Sequence, residues 1–597
     1  MKNRTKKSVS LKSGTATFFK VIKYLRYYRI HFAISILFSA ISVALTLYVP
    51  ILIGQAIDLA IGKDDVDIAG IADILLRIFV SVIIASLLQW MINVINNRMV
   101  YGIVKTVRHE AFVKIQKFPV SFIDNHRSGD IVSRLIADSD QFSDGLLMGF
   151  SQFFNGIMTI IGTLIFMFMI SPLVTVIVIF VTPLSLFVAA FIAKKTFSMF
   201  KLQSEIRSEQ TALIDEMVGN HKTVLAFGYQ DKAQKNFDAI NSDLSKISLK
   251  AIFFSSTTNP STRFVNSIVY ALVAFTGAMI CISGGSAISV GMLSSFLAYS
   301  SQYTKPFNEI SGVVTELQGA LACASRVFEL IESSTESIIE YTEKEQIEDG
   351  SIEFKNVSFS YSTEQTLISN FNFRAEKGQH IAIVGPTGCG KTTLINLLMR
   401  FYDVREGEIL LGGKDIREMS RESLRERYGM VLQNTWIFAG TVKENIAFAK
   451  PEANDEEIVA AAKAAHAHGF IKKLSHGYDT FLGEDGGSLS EGEKQLLCIA
   501  RIMLTDPEIL ILDEATSSID TRTEIRIQKA FAKLMAGRTA FVVAHRLSTI
   551  RESDAILVMR DGDIVEQGKH EELLKLNGFY AELYNSQFSG LNKKSGY

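Results

Sequence analysis

Gly385, Gly390, Lys391 and Thr392 stand at the spacing G-x-x-x-x-G-K-T, within the run Gly385-Pro386-Thr387-Gly388-Cys389-Gly390-Lys391-Thr392-Thr393. The chemistry this pattern supports is phosphate binding. Glycines let successive backbone N–H groups turn toward one anion, and a helix that begins at the lysine adds the positive end of its dipole. Lys391 is then placed to reach the β- and γ-phosphates of a nucleoside triphosphate, and the Thr392 hydroxyl to ligate Mg2+. Cys389 fills a variable slot and reads as a packing residue rather than a redox switch. Downstream, Ile509-Leu-Ile-Leu-Asp513-Glu514 is an apolar run ending in two carboxylates. On a strand beside a phosphate loop, Asp513 can hold Mg2+ through water, and Glu514 can polarise the attacking water.

These residues need elements to position them. A phosphate loop demands a strand before it and a helix after it; HIAIV precedes this one and TLINLLMRF follows it. From 351 to 590, short β-rich runs (SIEFKNVSFSY, HIAIVG, ILILDEA, TAFVVAH, AILVMRDGDIV) alternate with helical stretches. That alternation predicts an α/β domain with a largely parallel sheet. The acidic, mixed stretch 326–350 reads as a linker.

Residues 29–325 have a different composition. No Asp, Glu, Lys or Arg lies between His31 and Asp58, from Ile78 to Asn97, from Gly145 to Ala193, or from Phe264 to Thr304. A helix needs about 20 apolar residues to cross the hydrocarbon core. The two short runs therefore hold one span each. The long runs, with turn signals at Ser171-Pro172 and Gly284-Gly285, hold two each, giving six. Residues 1–29 carry nine Lys/Arg and no acid, whereas 55–77 has five Asp against Lys63 and Arg77. The positive-inside tendency then puts both termini in the cytoplasm. The first apolar run is too long and starts too late for a cleaved signal peptide. Residues 18–29 mix bases and aromatics at helical spacing, as an interfacial helix or a plain juxtamembrane segment would.

Bulk composition agrees with a membrane protein carrying a soluble part. Of 597 residues, 48% are hydrophobic and 21% charged, and 61 Lys+Arg against 62 Asp+Glu leave a net charge of −1. Mean hydropathy is +0.22. Without a basic surplus, no nucleic-acid partner is expected. The four cysteines are too scattered for a disulfide framework or a zinc site.

Taken together, the motifs resemble those of an ATP-binding-cassette (ABC) half-transporter of the exporter type, over essentially the whole chain. Leu489-Ser490-Glu491-Gly492-Glu493-Lys494-Gln495 resembles the family signature, which caps the γ-phosphate held by the opposite subunit. The resemblance implies that Tyr361 stacks on adenine and that Gln433 is the glutamine linking nucleotide and Mg2+ to the membrane helices. It also makes Asp520 the D-loop aspartate, His545 the switch histidine and Glu484 the exporter-type acid before the signature. The strings Phe122–Arg134 and Glu216–Gly228 are similar to the family's two coupling regions. The fold implied is a six-span helical transmembrane domain followed by an α/β P-loop nucleotide-binding domain. The cofactors implied are ATP and Mg2+, with Glu514 and His545 as the catalytic pair.

The signature departs from the family's pattern: Glu491 replaces a glycine and Glu493 a glutamine. A carboxylate then stands in a loop meant to face phosphate, where like charges repel. In the family, an altered signature beside an intact catalytic glutamate is often the mark of a heterodimer subunit. A second, different half-transporter is thus the expected partner, with a homodimer as the alternative. The implied function is ATP-driven export of amphipathic drugs or lipids by alternating access, in a bacterial plasma membrane. A nucleotide-gated channel, a signalling subunit or a lipid flippase on the same fold stays open. Ser294, Ser295, Phe296, Tyr299, Ser300, Gln302, Tyr303 and Phe307 either line a substrate path or pack helices.

Overall fold

The computed structural model describes residues 11–61, 66–282, 289–336, 350–361, 367–432, 435–487, 489–513, 519–543 and 550–588. The chain forms two compact units. One comprises Met1–Lys117 with Arg127–Ser334, the other Phe118–His126 with Thr335–Tyr597. A nine-residue piece of the N-terminal half (118–126) thus belongs with the C-terminal half.

The first unit is helical. Four of its helices are long and apolar enough to cross a membrane: Ala16–Ala60, Ile68–Ile115, Ser128–Ile170 and Gln230–Ile282. Helices Pro172–Gly219 and Val290–Glu332 are comparably long. The turn at Ser171-Pro172 separates two helices as the sequence predicts, with Pro172 at the first helical position, where its missing N–H costs nothing. The Gly284-Gly285 turn lies outside the described residues.

The helices that carry the apolar runs continue into the charged sequence beside them. Ile68–Ile115 and Pro172–Gly219 are unbroken over 48 residues each, and Gln230–Ile282 over 53. At 1.5 Å per residue these reach about 70–80 Å, more than twice the ~30 Å of a hydrocarbon core. Charge ends membrane burial without ending a helix, because Lys, Glu and Arg are good helix formers.

Of the eight polar and aromatic residues weighed as a substrate lining, Ser295, Phe296, Tyr299, Ser300 and Tyr303 are buried. The Ser295 hydroxyl donates to the Pro50 carbonyl at 2.7 Å, and the Tyr299 hydroxyl donates to the Leu47 carbonyl. Gly54 and Gly291 bring the same two helices together, since a Cβ on Gly291 would lie 2.0 Å from the Gly54 carbonyl oxygen. These side chains pack one helix on another.

The second unit is built on a six-stranded sheet in the order Asp563–Gly568, Ala555–Arg560, His380–Val384, Thr539–Val543, Ile509–Asp513, Tyr428–Val431. All neighbours are parallel except the edge hairpin 555–568. Its central strands are continuous apolar runs because both faces are covered; Ile381, Ile383, Ile509 and Ile511 are fully buried. Register places Val543 beside both Ile383 and Asp513, so three strands end together at one edge of the sheet.

A second sheet, Ile368–Ala375, Ile352–Phe359, Glu406–Leu411, Lys414–Asp415, is antiparallel. The sequence reading grouped IEFKNVSF with the parallel strands. Its apolar-polar alternation is instead the mark of a strand buried on one face.

Candidate active site

The phosphate loop leaves the sheet after Val384. Gly385 is required by close approach: a Cβ there would lie 2.3 Å from the Met559 carbonyl oxygen and 2.7 Å from the Cys389 sulfur. Gly390, at φ +105°, caps the helix Lys391–Leu398 in a conformation that L side chains rarely adopt. The Lys391 ammonium folds back over the loop and donates to the Gly385 and Pro386 carbonyls at 2.8 and 2.9 Å. No acid occupies the first turn of this helix.

The loop therefore fits a triphosphate. It has a cation held by two neutral carbonyls and the Cys389 sulfur, which a phosphate oxygen outcompetes, and a helix N-terminus free of carboxylates. Pro386, Thr387, Gly388 and Thr392 are exposed around it. Cys389 and Thr393 are buried, so each can offer a nucleotide its backbone but not its side chain. Cys389 packs in the apolar core, as the sequence reading expects.

Asp513 stands at the end of its strand, at the same sheet edge as the loop. Gln433, Glu514 and His545 lie outside the described residues. The strands that lead to them end at Val431, Asp513 and Val543, which parallel pairing holds side by side.

Tyr361 presents an exposed ring just beyond strand Ile352–Phe359. Asn396, on the phosphate-loop helix, donates to its hydroxyl at 3.0 Å, and Tyr402 meets it edge-on at 4.9 Å between centroids. The Tyr402 hydroxyl in turn donates to Asp124 at 2.5 Å. Asp124 belongs to the short helix Val120–Asn125, in the string that resembles the first coupling region. Burial, then the hydrogen bond and charge of Asp124, push the Tyr402 phenol well above its ordinary range. Sequence reasoning gave no role to Asn396, Tyr402 or Asp124. Only Asp124 carried a signal, as part of the F-I-D string.

The signature residues open the helix Glu491–Thr505. Ser490 caps it, and the Glu493 carboxylate accepts from both the Ser490 N–H and the Ser490 hydroxyl at 3.0 Å. Glu491 pairs with Lys494 at 2.8 Å. Gly492 is buried against the next helix, Thr521–Met535, where a Cβ would come within 2.4 Å of Thr523. Asp520 caps that helix by accepting from the Thr523 N–H at 3.0 Å, a bond that holds its carboxyl below the usual range. Ser490, Gly492 and Asp520 are thus brought to one place, while Glu484 opens a separate short turn before them.

Known proteins bear on this arrangement. Residues 32–307 match the family of the ABC transporter transmembrane region, and residues 368–517 match the ABC transporter family. An uncharacterized ABC transporter ATP-binding protein of Bacillus subtilis, YfiC, is 37% identical over 589 residues, covering 98% of this chain and 97% of that one. A fatty acid ABC transporter ATP-binding/permease protein of Mycobacterium bovis is 40% identical over 518 residues, covering 87% of this chain and 82% of its own. Among solved structures, a bacterial Atm1-family ABC exporter with ATP bound superposes with a TM-score of 0.78 at 26% identity, covering 94% of this chain and 98% of its own. With its phosphate loop, its long apolar helices and these full-length likenesses, the chain belongs to the ABC transporters, as an ATP-hydrolysing exporter with both domains on one polypeptide.

Proposed function

We propose that this exporter moves an acidic amphiphile, of the fatty-acid or anionic-lipid kind, away from the cytoplasmic side of the cell membrane. One observation carries the substrate class. Arg263 and Lys305 are exposed at the two ends of the charge-free segment Phe264–Thr304, and neither has an ion-pair partner among the described residues. Beyond Arg263 runs an exposed apolar stripe at helical spacing, Phe264, Ile268, Leu272, Phe275 and Met279. A cation at the foot of such a stripe suits a carboxylate followed by an acyl chain, and the mycobacterial relative is named for fatty acids. The opposite preference, for cationic drugs, would want an acid there.

In this reading the loop Gly385–Thr393 holds the triphosphate, with Tyr361 against the adenine. Thr392, Asp513 and Gln433 would hold Mg2+, which neutralises charge on the phosphate oxygens. Glu514 orients and deprotonates the attacking water, and His545 contacts the γ-phosphate. Ser490, Gly492 and Asp520 serve the site of a partner half-transporter. An intact Glu514 beside a carboxylate-bearing signature favours an unlike partner. The Lys/Arg-rich N-terminal segment favours cytoplasmic termini.

The test is ATP turnover in lipid nanodiscs of the chain purified from its own membrane with any half-transporter that accompanies it, and in parallel alone, with added oleate, a neutral monoglyceride or a cationic amphiphile. Oleate should stimulate turnover several-fold, and Arg263→Ala with Lys305→Ala should remove the preference. Stimulation by the cationic compound alone would reverse the substrate class. With Glu514→Gln as the control, turnover by the chain alone would mean a homodimer.

A further inference from the structure

A helix leaves its first N–H groups unsatisfied, and its dipole draws an anion to them. At the signature helix Glu491–Thr505 that position is already served from within the chain. One Glu493 carboxylate oxygen takes both the Ser490 N–H and the Ser490 hydroxyl, each at 3.0 Å, and the Glu493 N–H returns a bond to the Ser490 oxygen at 3.4 Å. The adjacent cation, Lys494, is committed to Glu491 at 2.8 Å. Among the described residues, Glu493 has no ion pair of its own.

A glutamine at the same position would complete the same capping box, since either side chain can accept from the cap N–H. The helix therefore does not need the charge. What the charge adds is a charge-assisted hold on the serine hydroxyl and repulsion of any second anion brought to it.

We propose that Glu493 is an internal competitor for the anion seat of this signature and sets how much ATP is needed before the signature closes on a partner-held nucleotide. The inference rests on the dimeric reading above, in which Ser490 faces a γ-phosphate bound by the other subunit. Closure requires the Ser490 hydroxyl to leave the Glu493 oxygen and turn its proton toward phosphate. No covalent bond changes in this exchange.

Occlusion of nucleotide measures it. The full-length chain in a Glu514→Gln background, purified from its own membrane with any half-transporter that accompanies it and placed in nanodiscs, is equilibrated with Mg2+ and increasing radiolabelled ATP and then desalted rapidly, and the retained nucleotide is counted. Glu493→Gln and Glu493→Ala are compared with the parent; simple binding is followed separately with a fluorescent ATP analogue. Both variants should reach half-maximal retention at about tenfold lower ATP, the scale of one lost charge-assisted bond. A purely structural cap predicts the reverse, with Glu493→Gln unchanged and Glu493→Ala retaining less and melting lower. Coincident curves, or retention by none of the three, overturn the role of Glu493. If the analogue still binds in that case, the proposed function survives. If it fails to bind all three proteins, the proposed function itself fails.

Discussion

The phosphate loop and the signature use one device twice, a helix N-terminus offered to an anion, and they differ in what already sits there. Helix Lys391–Leu398 opens without an acid, and its lysine is held by two carbonyls. Helix Glu491–Thr505 opens with two acids, one paired to Lys494 and one folded onto its own cap. The first end attracts a triphosphate unaided. In the proposed reading the second accepts only a phosphate that a partner delivers, so that such a unit would bind nucleotide first and close second.

The largest effect should come from the end that acts alone. Lys391→Ala removes the loop's cation, and ATP affinity should fall about 100-fold or more, the scale for losing a preorganised charged donor. A titration with a fluorescent ATP analogue measures it, and signature variants should leave that titration within about twofold, because side-chain contacts made only on closure do not report there. Wild-type affinity in Lys391→Ala would erase the distinction between the two ends.

The second effect is steric. Gly492→Val puts a branched side chain where a Cβ alone would meet Thr523 at 2.4 Å and Ile519 at 3.0 Å. Overpacking of this kind costs about 1–3 kcal/mol, which lowers the melting temperature by several degrees. Because the displaced helix is the one Asp520 caps, nucleotide occlusion should also be lost while binding of the fluorescent analogue persists. Occlusion equal to the parent would show that the contact between Gly492 and Thr523 does not shape the signature.

A third substitution probes the loop's side of the comparison without touching a phosphate contact. Tyr402→Phe keeps the ring against Tyr361 and loses the hydrogen bond to Asp124. Hydrogen bonds to charged groups are worth about 1.5–3 kcal/mol when buried and less at a surface. Substrate stimulation of ATP turnover should therefore fall about three- to tenfold, with ATP affinity nearly unchanged. Asp124→Asn should do the same to a smaller degree, since an amide oxygen still accepts.

The two ends were not equally legible in the sequence. Gly385–Thr392 could be read outright, because strand, glycines, lysine and helix are contiguous and each has a local physical reason. Asp513 could be read for the same cause. Ser490 and Glu493 were read as facing phosphate, although the S-x-x-E spacing that makes a capping box was equally visible. Which bond the carboxylate makes depends on the backbone at Ser490 (φ −68°, ψ 156°), which the family pattern does not encode. The Tyr402–Asp124 bond joins residues 278 positions apart, and no spacing rule reaches that far. The apolar runs mark the spans, but nothing in their composition says how far the same helices continue beyond them. For Ser295 and Tyr299, composition could not separate lining from packing, and the distances to Pro50 and Leu47 do.

The smallest effect sharpens the comparison most finely. Lys494 is three residues from Glu491 on the same helix face, with its side chain largely covered and that of Glu491 largely exposed. Such i,i+3 pairs stabilise a helix by only about 0.2–0.5 kcal/mol, so Lys494→Gln should shift the melting temperature by about 1 °C or less. The electrostatic effect at the signature is separate. Losing Lys494 leaves Glu491 unpaired beside Glu493, adds one net negative charge to the first turn, and should raise the ATP needed for half-occlusion about twofold. Raising salt from 0.05 to 0.5 M should shrink that difference, because the added charge is exposed and screened, whereas the tenfold gain in Glu493→Gln should largely persist, because it comes from a direct bond. A Lys494→Gln chain that closes more easily than the parent would mean that the signature's first turn is not governed by its charge, and the contrast with the phosphate loop would then rest on Ser490 alone.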